Sequence, residues 1–459
     1  MIRDAVLLGS AQAVSEAWDV RAKWARAGAT VRGAVLVGPG EVPLPVITRA
    51  PIWGALDLAA VTPGSGLILV DPPADGASKR AVLTRAAEAG LKTFVLSRGK
   101  VRPLRLTDLI GRPPGEVDLA RARDVIAGRR VLVTGGGGSI GSELARRLAT
   151  LSPARLTLLD SSEHNLYKIG LELPEAVQVL ADIRDARSIG RWFAKERPEI
   201  VFHTAALKQV PMVEAFASEG ILTNVLGLQN VADASRGVGA DLMFVSTDKA
   251  VDPSGLMGAS KRLGEIYCQS LDREGPQRAI PVRLGNVLGS AGSVTPIFEA
   301  QLADGGPLTV TDPDVTRFFL TIPQAADALL QAAAVGLKAE LRGSVFVIEM
   351  GEALAVVELA REVIRLEGLR PEIDVPIVFT GLRAGEKLHE ALVASDEWRE
   401  PDPAQGVIAV ASQAQELDVV LAAMAKLTGL AQDGANEKIA TALFEAIGAD
   451  LLSDQARAV

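Results

Sequence analysis

The chain has 459 residues, of which 48% are apolar, and a formal net charge of -8. This length and composition predict a globular protein of two or three packed domains. The 48 Lys and Arg residues are outnumbered by 56 Asp and Glu residues, which excludes a broad basic surface and argues against a nucleic-acid partner.

The first hundred residues alternate short apolar runs with alanine-rich helical stretches. Runs such as "AVLLG" and "GLILVDPP" are typical of a small parallel sheet, so residues 1–100 are predicted to form a smaller α/β Rossmann-like domain. Its first loop contains Gly9 but no second or third glycine, so we expect no dinucleotide bound there in the usual manner. A structural, oligomerising or regulatory role is left open. Charges between Arg3 and Asp19 interrupt the first apolar run, so neither a signal peptide nor a membrane span is predicted.

A second rhythm of strands and helices begins after a proline-rich stretch. Residues 101–129 carry prolines and charges without a sustained period and are predicted to be a linker. Residues 130–290 contain continuous apolar runs, as expected for strands buried on both faces of a parallel sheet, and predict a Rossmann-type doubly wound catalytic domain. Residues 291–400 are assigned mainly to a substrate-binding region, and residues 401–459 to a C-terminal helical region.

The stretch "RVLVTGGGGSIGSELARRLA" has the pattern of strand, glycine loop and helix. The fingerprint of a dinucleotide site fits in two registers, Gly136-x-Gly138-x-x-Gly141 and Gly135-x-x-Gly138-x-x-Gly141. In either register the loop lets backbone approach a pyrophosphate at the N-terminus of a helix. Glycine clusters also form plain turns, so the context of the loop matters.

Two acidic residues support a cofactor site. Asp160 ends the next apolar run, near the spacing of an acid that binds the adenosine ribose, and it favours NAD over NADP because it would repel a 2'-phosphate. Asp182 follows the third strand, at a position suited to the adenine edge. A solvated acid at the end of a strand is the alternative interpretation for both residues.

The fifth apolar run of this domain ends in "STDK". Ligands of open α/β sheets bind at the carboxyl ends of strands, so Thr247, Asp248 and Lys249 are expected at the crevice. A salt bridge between Asp248 and Lys249 without catalytic meaning is the competing interpretation. Lys261 follows on the next predicted helix, and the residue four positions before it is Met257, which cannot transfer a proton.

The stretches "VFHTAALKQVPMVEA", "FVSTDKAVDPSGLMGASKR" and "PVRLGNVLGSAGSVTPIFEAQL" resemble the extended short-chain dehydrogenase/reductases. Within that superfamily they resemble the bacterial polysaccharide-biosynthesis nucleotide-sugar 4,6-dehydratases that act on UDP-N-acetylglucosamine. The resemblance covers roughly residues 100–400. Members of the retaining branch carry methionine where relatives carry tyrosine, so Met257 is a family trait. Larger members have membrane helices before the first domain, which are not predicted here.

The resemblance implies roles for individual residues. Asp248 would be the acid and Lys249 the base of a water elimination, while Lys261 would hold the nicotinamide ribose of NAD. Thr247 would contact the carbon-4 hydroxyl of the sugar. The implied cofactor-binding positions are Gly135, Gly138, Ser139, Ile140, Gly141, Asp160, Asp182, Ile183, Ala205 and Lys261. The implied positions for the UDP-sugar substrate are Lys208, Asn286, Arg317, Arg383 and Glu386.

The sequence departs from the pattern of the family that it resembles at two positions. Gln209 stands where these proteins frequently have His, and Ala384 stands where they frequently have Pro. No metal is expected, because His203 and His389 lack a second ligand at a suitable spacing. The only cysteine, Cys268, excludes an intrachain disulfide and, with the absence of a targeting segment, favours the cytoplasm. A homo-oligomer is expected. A nucleotide-sugar 4-epimerase and a catalytically silent NAD-binding interaction protein are the alternative functions.

Overall fold

The computed structural model describes residues 4–19, 30–73, 75–97, 99–110, 119–401, 404 and 406–449. They divide into two compact units. The first unit comprises the described residues up to 110 together with Val294–Asp314 and Leu354–Thr380. The second comprises the remaining described residues. The region 291–400, expected to serve mainly substrate binding, is thus shared between the units. The predicted linker 101–129 contains regular structure on both sides of residues 111–118, which lie outside the described residues.

The elements of the described residues are numbered in chain order. The strands are β1 (Asp4–Gly9), β2 (Thr30–Val37), β3 (Val46–Ala50), β4 (Gly66–Leu69), β5 (Lys92–Ser97), β6 (Lys100–Pro103), β7 (Arg130–Thr134), β8 (Arg155–Asp160), β9 (Val177–Leu180), β10 (Ile200–His203), β11 (Asp241–Thr247), β12 (Ala279–Leu284), β13 (Asn286–Leu288), β14 (Leu308–Val310), β15 (Thr316–Arg317), β16 (Phe319–Thr321), β17 (Val345–Ile348), β18 (Leu354–Ala355), β19 (Ile377–Phe379), β20 (Trp398–Arg399) and β21 (Val407–Ala411). The α-helices are α1 (Ala11–Asp19), α2 (Gly76–Glu88), α3 (Leu106–Ile110), α4 (Leu119–Ile126), α5 (Ser139–Thr150), α6 (Glu163–Glu172), α7 (Ala186–Glu196), α8 (Val210–Ala215), α9 (Ala217–Ile221), α10 (Gly227–Val238), α11 (Leu256–Glu274), α12 (Val294–Ala303), α13 (Ile322–Gly336), α14 (Val356–Leu366), α15 (Leu417–Gln432) and α16 (Asn436–Ala446).

The first unit is built on a sheet with the strand order β3-β2-β1-β4-β5-β6. Strands β1 to β5 are parallel, and β6 runs antiparallel to β5. Their interior residues are largely apolar and buried, so this part of the chain has its own hydrophobic core. The expected small Rossmann-like domain is therefore an α/β unit with the order of a doubly wound sheet.

A later part of the chain completes this first unit. Helix α14 packs against α2, and an ion pair joins Lys92 to Glu367. Gly368 has a φ of +77°, and a Cβ added there would lie 2.7 Å from the carbonyl carbon of Leu91. Because glycine alone tolerates both the left-handed backbone and this close approach, the turn after α14 fits tightly against the start of β5.

The second unit contains a nine-stranded sheet with the order β20-β21-β17-β12-β11-β10-β7-β8-β9. The strands from β17 to β9 are parallel, while β21 and β20 are antiparallel additions. From β7 the chain first adds β8 and β9 on one side of the sheet and then returns to add β10, β11 and β12 on the other side. The switch point of the sheet therefore lies between β7 and β10. Ligands of such sheets bind outside the carboxyl ends of the strands at this point.

Helix α11 forms the centre of one face of the second unit. All residues from Leu256 to Asp272 are buried, although the sequence contains polar residues at many of these positions. The apolar side chains of α15 and α16 belong to the same core cluster as those of α10 and α11. The C-terminal helices therefore cover α11. In the part of the chain that is described, no helix is long and apolar enough to cross a bilayer.

Candidate active site

The glycine loop lies between β7 and α5, at the switch point of the sheet. Gly135 has a φ of +68°, and a Cβ added there would lie 2.8 Å from the Ala205 nitrogen, which follows β10. Gly138 is the N-cap of α5 and donates its N–H to the carbonyl of Gly135. A Cβ at Gly141 would lie 2.1 Å from the same carbonyl oxygen. The two registers share Gly138 and Gly141, and the positive φ of Gly135 with its close approach to the Ala205 backbone favours Gly135-x-x-Gly138-x-x-Gly141.

The remaining predicted cofactor positions lie around this loop. Asp160 ends β8, and its carboxylate accepts hydrogen bonds from the Gly137 and Ser162 N–H groups at 2.9 and 2.8 Å. Asp182 instead pairs with Arg184 at 2.7 Å. Ile183 is buried. Asp160 is thus held at the edge of the glycine loop, whereas the carboxylate of Asp182 already has a cationic partner.

The ammonium group of Lys261 is buried beneath the carboxyl ends of the central strands. Its Nζ lies 4.2 Å from the centroid of the Phe244 ring, and among the described residues it has no hydrogen-bond acceptor. Burial lowers the pKa of Lys261 to about 8. His203 is equally buried; it shares a 2.7 Å hydrogen bond with the Thr134 hydroxyl, and burial lowers its pKa to about 3. The imidazole is therefore neutral, and Lys261 is the cation that can serve a ligand.

The predicted acid and base are directly joined at the end of β11. The ammonium of Lys249 donates to Asp248 Oδ1 at 3.0 Å and to Asn286 Oδ1 at 2.7 Å. The Thr247 hydroxyl also donates to Asp248 Oδ1, at 2.9 Å. Asp248 is fully buried, and its Oδ2 has no hydrogen-bond partner. The structure thus brings Thr247, Asp248, Lys249 and Asn286 together.

Met257 stands at the first turn of α11, beside this group. Its side chain is buried in the hydrophobic core and also lines a small cleft with Lys249. The helix approaches closely, because a Cβ at Gly258 would lie 2.2 Å from the carbonyl oxygen of Lys249. The N–H of Leu256 donates to the carboxylate of Glu214, which satisfies one of the free donors at the start of the helix. Met257 therefore contributes apolar packing at the cleft.

The cleft contains two charged residues that the sequence did not single out, Lys387 and Glu390. The Glu390 side chain is only 2% exposed and lies 3.9 Å from Lys249 Nζ and 3.7 Å from Lys387 Nζ. Lys387 donates to the carbonyl of Val251, and burial lowers its pKa. Both residues occur in "GLRAGEKLHE", three positions apart in a segment that is not helical. The sequence contains both charges, but it could not show that this segment reaches β11.

The predicted substrate residues lie in different environments. Lys208 donates to the Ser290 hydroxyl at 3.1 Å. Arg317 is buried, and its guanidinium donates to the carbonyls of Thr316, Lys387 and Leu388. Arg317 therefore fixes the backbone of the Glu390 segment, and its predicted role in binding the substrate stays a prediction. By contrast, Arg383 is exposed.

Other predicted residues occupy supporting positions. The Ser139 hydroxyl accepts from the Ala291 N–H at 3.1 Å, and Gln209 donates to the carbonyl of Gly292 at 3.2 Å. The carboxylate of Glu386 accepts from the N–H of Arg383. Ile140 packs against the hydrophobic core. The loop at Ala291 and Gly292 is thus hydrogen-bonded to Ser139 and Gln209 beside the candidate site.

Three further expectations concern residues away from this chemistry. In the first unit, the carboxylate of Asp71 accepts from the Ser10 N–H at 3.0 and 3.1 Å, and a Cβ at Gly9 would lie 2.0 Å from it. An acid thus stands at the switch point of that sheet. His389 shares a hydrogen bond with Thr316, and Cys268 is buried. The described residues contain no group of three or more His, Cys, Asp or Glu side chains that could hold a metal ion.

The parallel sheet, the glycine loop at its switch point and the polar strand end define a Rossmann-type protein of the short-chain dehydrogenase/reductase class. Residues 131–412 match the family described as polysaccharide biosynthesis protein. The chain belongs to this family.

Curated relatives and solved structures show similar proteins. The chain is 41% identical over 311 residues to the capsular polysaccharide biosynthesis protein CapD of Staphylococcus aureus, covering 66% of this chain and 51% of that protein. It therefore spans about half the length of that relative. It is 33% identical over 300 residues to a UDP-glucose 4-epimerase of Rickettsia akari, covering 63% of this chain and 85% of the epimerase.

Among solved structures, the dTDP-glucose 4,6-dehydratase DesIV of Streptomyces venezuelae, determined with NAD bound, is similar with a TM-score of 0.51. It is 26% identical in sequence, and the match covers 58% of this chain and 88% of DesIV. Pen from Bacillus thuringiensis is similar with a TM-score of 0.56 and 28% identity, over 63% of this chain and 90% of Pen. The similarity thus includes proteins whose names describe dehydration and epimerisation.

Proposed function

We propose that this chain is an NAD-dependent nucleotide-sugar 4,6-dehydratase that acts on UDP-N-acetylglucosamine and serves surface polysaccharide biosynthesis. The observation that carries the proposal is the hydrogen bond between half-buried Lys249 and fully buried Asp248 at the carboxyl end of β11. The relation to CapD supports the biosynthetic context, and the similarity to DesIV supports the reaction class. The choice of sugar rests on the sequence resemblance.

The residues at the switch point fit NAD. Any side chain at Gly141 would collide with the loop, so this approach of helix to loop is compatible only with glycine. The N-terminus of α5 offers backbone donors for a pyrophosphate. Asp160 can accept from a ribose hydroxyl and would repel a 2'-phosphate. The ammonium of Lys261, buried without a hydrogen-bond acceptor among the described residues, can donate to the hydroxyls of the nicotinamide ribose.

The reaction oxidises carbon 4 of the sugar, removes a proton from carbon 5 and the hydroxyl from carbon 6, and reduces carbon 6. The cofactor supplies, when bound, the reversible hydride acceptance that the first and last steps need. The protein must supply a base and an acid for the elimination between them. In our proposal neutral Lys249 takes the proton from carbon 5, and Asp248 protonates the departing hydroxyl, which leaves as water.

The groups around the elimination give a way to restore both residues after each turnover. The elimination leaves Lys249 with an extra proton and Asp248 without one. Lys249 returns its proton to carbon 5 when carbon 6 is reduced, and the proton that the carbon-4 hydroxyl loses on oxidation passes to Asp248 through Thr247, whose hydroxyl donates to Asp248 Oδ1 at 2.9 Å. The unpartnered Asp248 Oδ2 is a position where a proton can be held for donation. No proton transfer requires Met257, so the missing tyrosine is compatible with this chemistry.

A nucleotide-sugar 4-epimerase is the second candidate. The identity of 33% to a UDP-glucose 4-epimerase over 85% of that enzyme favours it. An epimerase needs no acid and base at carbons 5 and 6, however, because it removes and returns only the hydride and the hydroxyl proton of carbon 4. One base suffices for that proton, so epimerisation gives the joined Asp248 and Lys249 no separate acid and base roles.

Incubation with UDP-N-acetylglucosamine distinguishes these reactions. Dehydration gives a product lighter by one water, which in deuterated water carries one solvent deuterium at carbon 5. Epimerisation gives a product of unchanged mass with inverted carbon 4. We expect Asp248→Asn and Lys249→Ala each to slow water loss by about a hundred- to ten-thousand-fold. Dehydration at the normal rate by both variants would contradict the assignment.

A further inference from the structure

Glu390 is a buried carboxylate of the cleft to which the proposed reaction assigns no role. Its Oε1 lies 3.9 Å from Lys249 Nζ and 3.8 Å from Arg317 Nε, while Lys387 Nζ lies 3.7 Å from Oε2. The buried Oε2 has no hydrogen-bond partner. None of the three cations lies within hydrogen-bond distance of the Glu390 carboxylate. Glu390 therefore acts on these cations through its charge.

The backbone that carries Glu390 is fixed independently of Lys249. The guanidinium of Arg317 donates to the carbonyls of Lys387 and Leu388 at 2.7 and 3.1 Å. The ammonium of Lys387 donates to the carbonyl of Val251, just beyond the turn that contains Lys249. Glu390 is therefore held at a defined distance from the proposed base, on a segment more than a hundred residues away in sequence.

We propose that Glu390 is a positioning residue whose negative charge holds the side chain of Lys249 towards the cleft. The inference rests on the proposed function, because it concerns the base of the elimination. The charged groups that face Lys249 are the carboxylates of Asp248 and Glu390 and the more distant ammonium groups of Lys208 and Lys387. The two carboxylates favour the charged amine, and the two cations oppose it.

Removal of the Glu390 charge should change the pH profile of water loss in one direction. Lys249 must be neutral to accept the proton from carbon 5, so the rate of water loss falls on the acid side as the amine becomes protonated. Removing the negative charge of Glu390 takes away one of the two carboxylates that lie near Lys249 Nζ, and so weakens the attraction for the charged amine. The acid limb of the pH profile should therefore move to lower pH. For an opposite charge at this distance, a displacement of about one pH unit is expected.

The test compares Glu390→Gln, which keeps the shape of the side chain, with Glu274→Gln. Glu274 is exposed at the far end of α11, about 27 Å along the helix from its first turn, and its substitution removes the same charge. Water loss from UDP-N-acetylglucosamine is measured against pH for the full-length variants, with kcat and KM determined separately. We expect the acid limb to move in Glu390→Gln alone, with a change in kcat and little change in KM.

A second variant keeps the test decisive if Glu390→Gln does not fold. Glu390→Asp retains the charge but withdraws it by one methylene group, so it should restore most of the normal profile and displace the acid limb less, in the same direction. An unmoved acid limb in Glu390→Gln, or in Glu390→Asp where only that variant folds, would overturn the inference while leaving the dehydratase assignment intact. Absence of water loss from the unaltered protein would overturn the proposed function and this inference together.

Discussion

Replacing Lys261 by Met should stabilise the second unit at neutral pH while removing a residue that the proposed cofactor site needs. Burial lowers the pKa of Lys261 from the ordinary 10.5 to about 8. Each pKa unit corresponds to about 1.4 kcal/mol, so holding this ammonium in the fold costs about 3 kcal/mol at neutral pH. The contact with the Phe244 ring offsets about 1 kcal/mol of that cost. We therefore expect Lys261→Met to increase the free energy of unfolding by about 1–3 kcal/mol.

The pH dependence of this gain provides the stricter test. Below about pH 8 both the folded and the unfolded chain carry the proton on Lys261, and the full cost is present. Between about 8 and 10.5 the folded chain loses the proton first, so the stability of the unaltered protein rises towards that of the variant. The advantage of Lys261→Met should therefore be largest at neutral pH and disappear as the pH approaches 10.5.

The measurement must be specific to the second unit, because a chain of two units need not unfold in a single step. Hydrogen exchange of peptides from α11 in increasing denaturant, with cofactor-free protein, reports on the helix that carries Lys261. Lys168→Met, at an exposed position of the same unit, is the matched control and should change little. A variant that is no more stable at neutral pH, or whose advantage grows with pH, would refute the argument.

Three further predictions test the loop, the methionine and the division into units. Gly141→Ala should reduce NAD affinity at least tenfold, because its Cβ would lie 2.1 Å from the carbonyl oxygen of Gly135; titration with NAD measures this, and unchanged affinity would contradict the proposed loop. Met257→Leu should retain dehydration within about tenfold, since it preserves apolar volume; an inactive but folded variant would mean that the sulfur matters. Gly368→Ala should destabilise the first unit by more than 1 kcal/mol, and by more than Gly64→Ala, which has a similar positive φ but no neighbour within 4 Å. Hydrogen exchange of β5 peptides compares the two, and equal effects would count against the tight turn.

The sequence predicted those parts of the site that depend on local order. A strand followed by a glycine loop and a helix can be recognised from periodicity, and parallel strands present their carboxyl ends at one edge. Asp248 and Lys249 follow such a strand directly, and Lys261 lies on the next helix. The register of the glycine loop could not be obtained in this way, because four successive glycines are equivalent in sequence. Only the positive φ of Gly135 and its contact with Ala205 distinguish it.

The charged partners of Lys249 were missed for a different reason. Glu390 and Lys387 follow β11 by well over a hundred residues, and no periodicity states which loop returns to which strand. The same limit affects Arg317, because the sequence could not show that its guanidinium donates to the carbonyls of Lys387 and Leu388 in the returning segment. Its predicted contact with the substrate stays a prediction. The identity of a residue does not show whether an arginine is buried or exposed, because burial depends on tertiary packing that the sequence pattern does not reveal.

The sequence pattern also could not show which segments of the chain belong to the first unit. The spacing of apolar residues in α14 predicts a helix with one buried face. This helical period identifies the buried face, but it does not identify the element that packs against that face. In the structure that partner includes α2, and the contacts of Lys92 with Glu367 and of Leu91 with Gly368 continue the packing just beyond the C-terminus of α14. The first unit therefore includes Val294–Asp314 and Leu354–Thr380 besides the described residues up to 110. A chain cut at residue 100 would expose the apolar face of α14, and exposed apolar surface of that kind promotes aggregation.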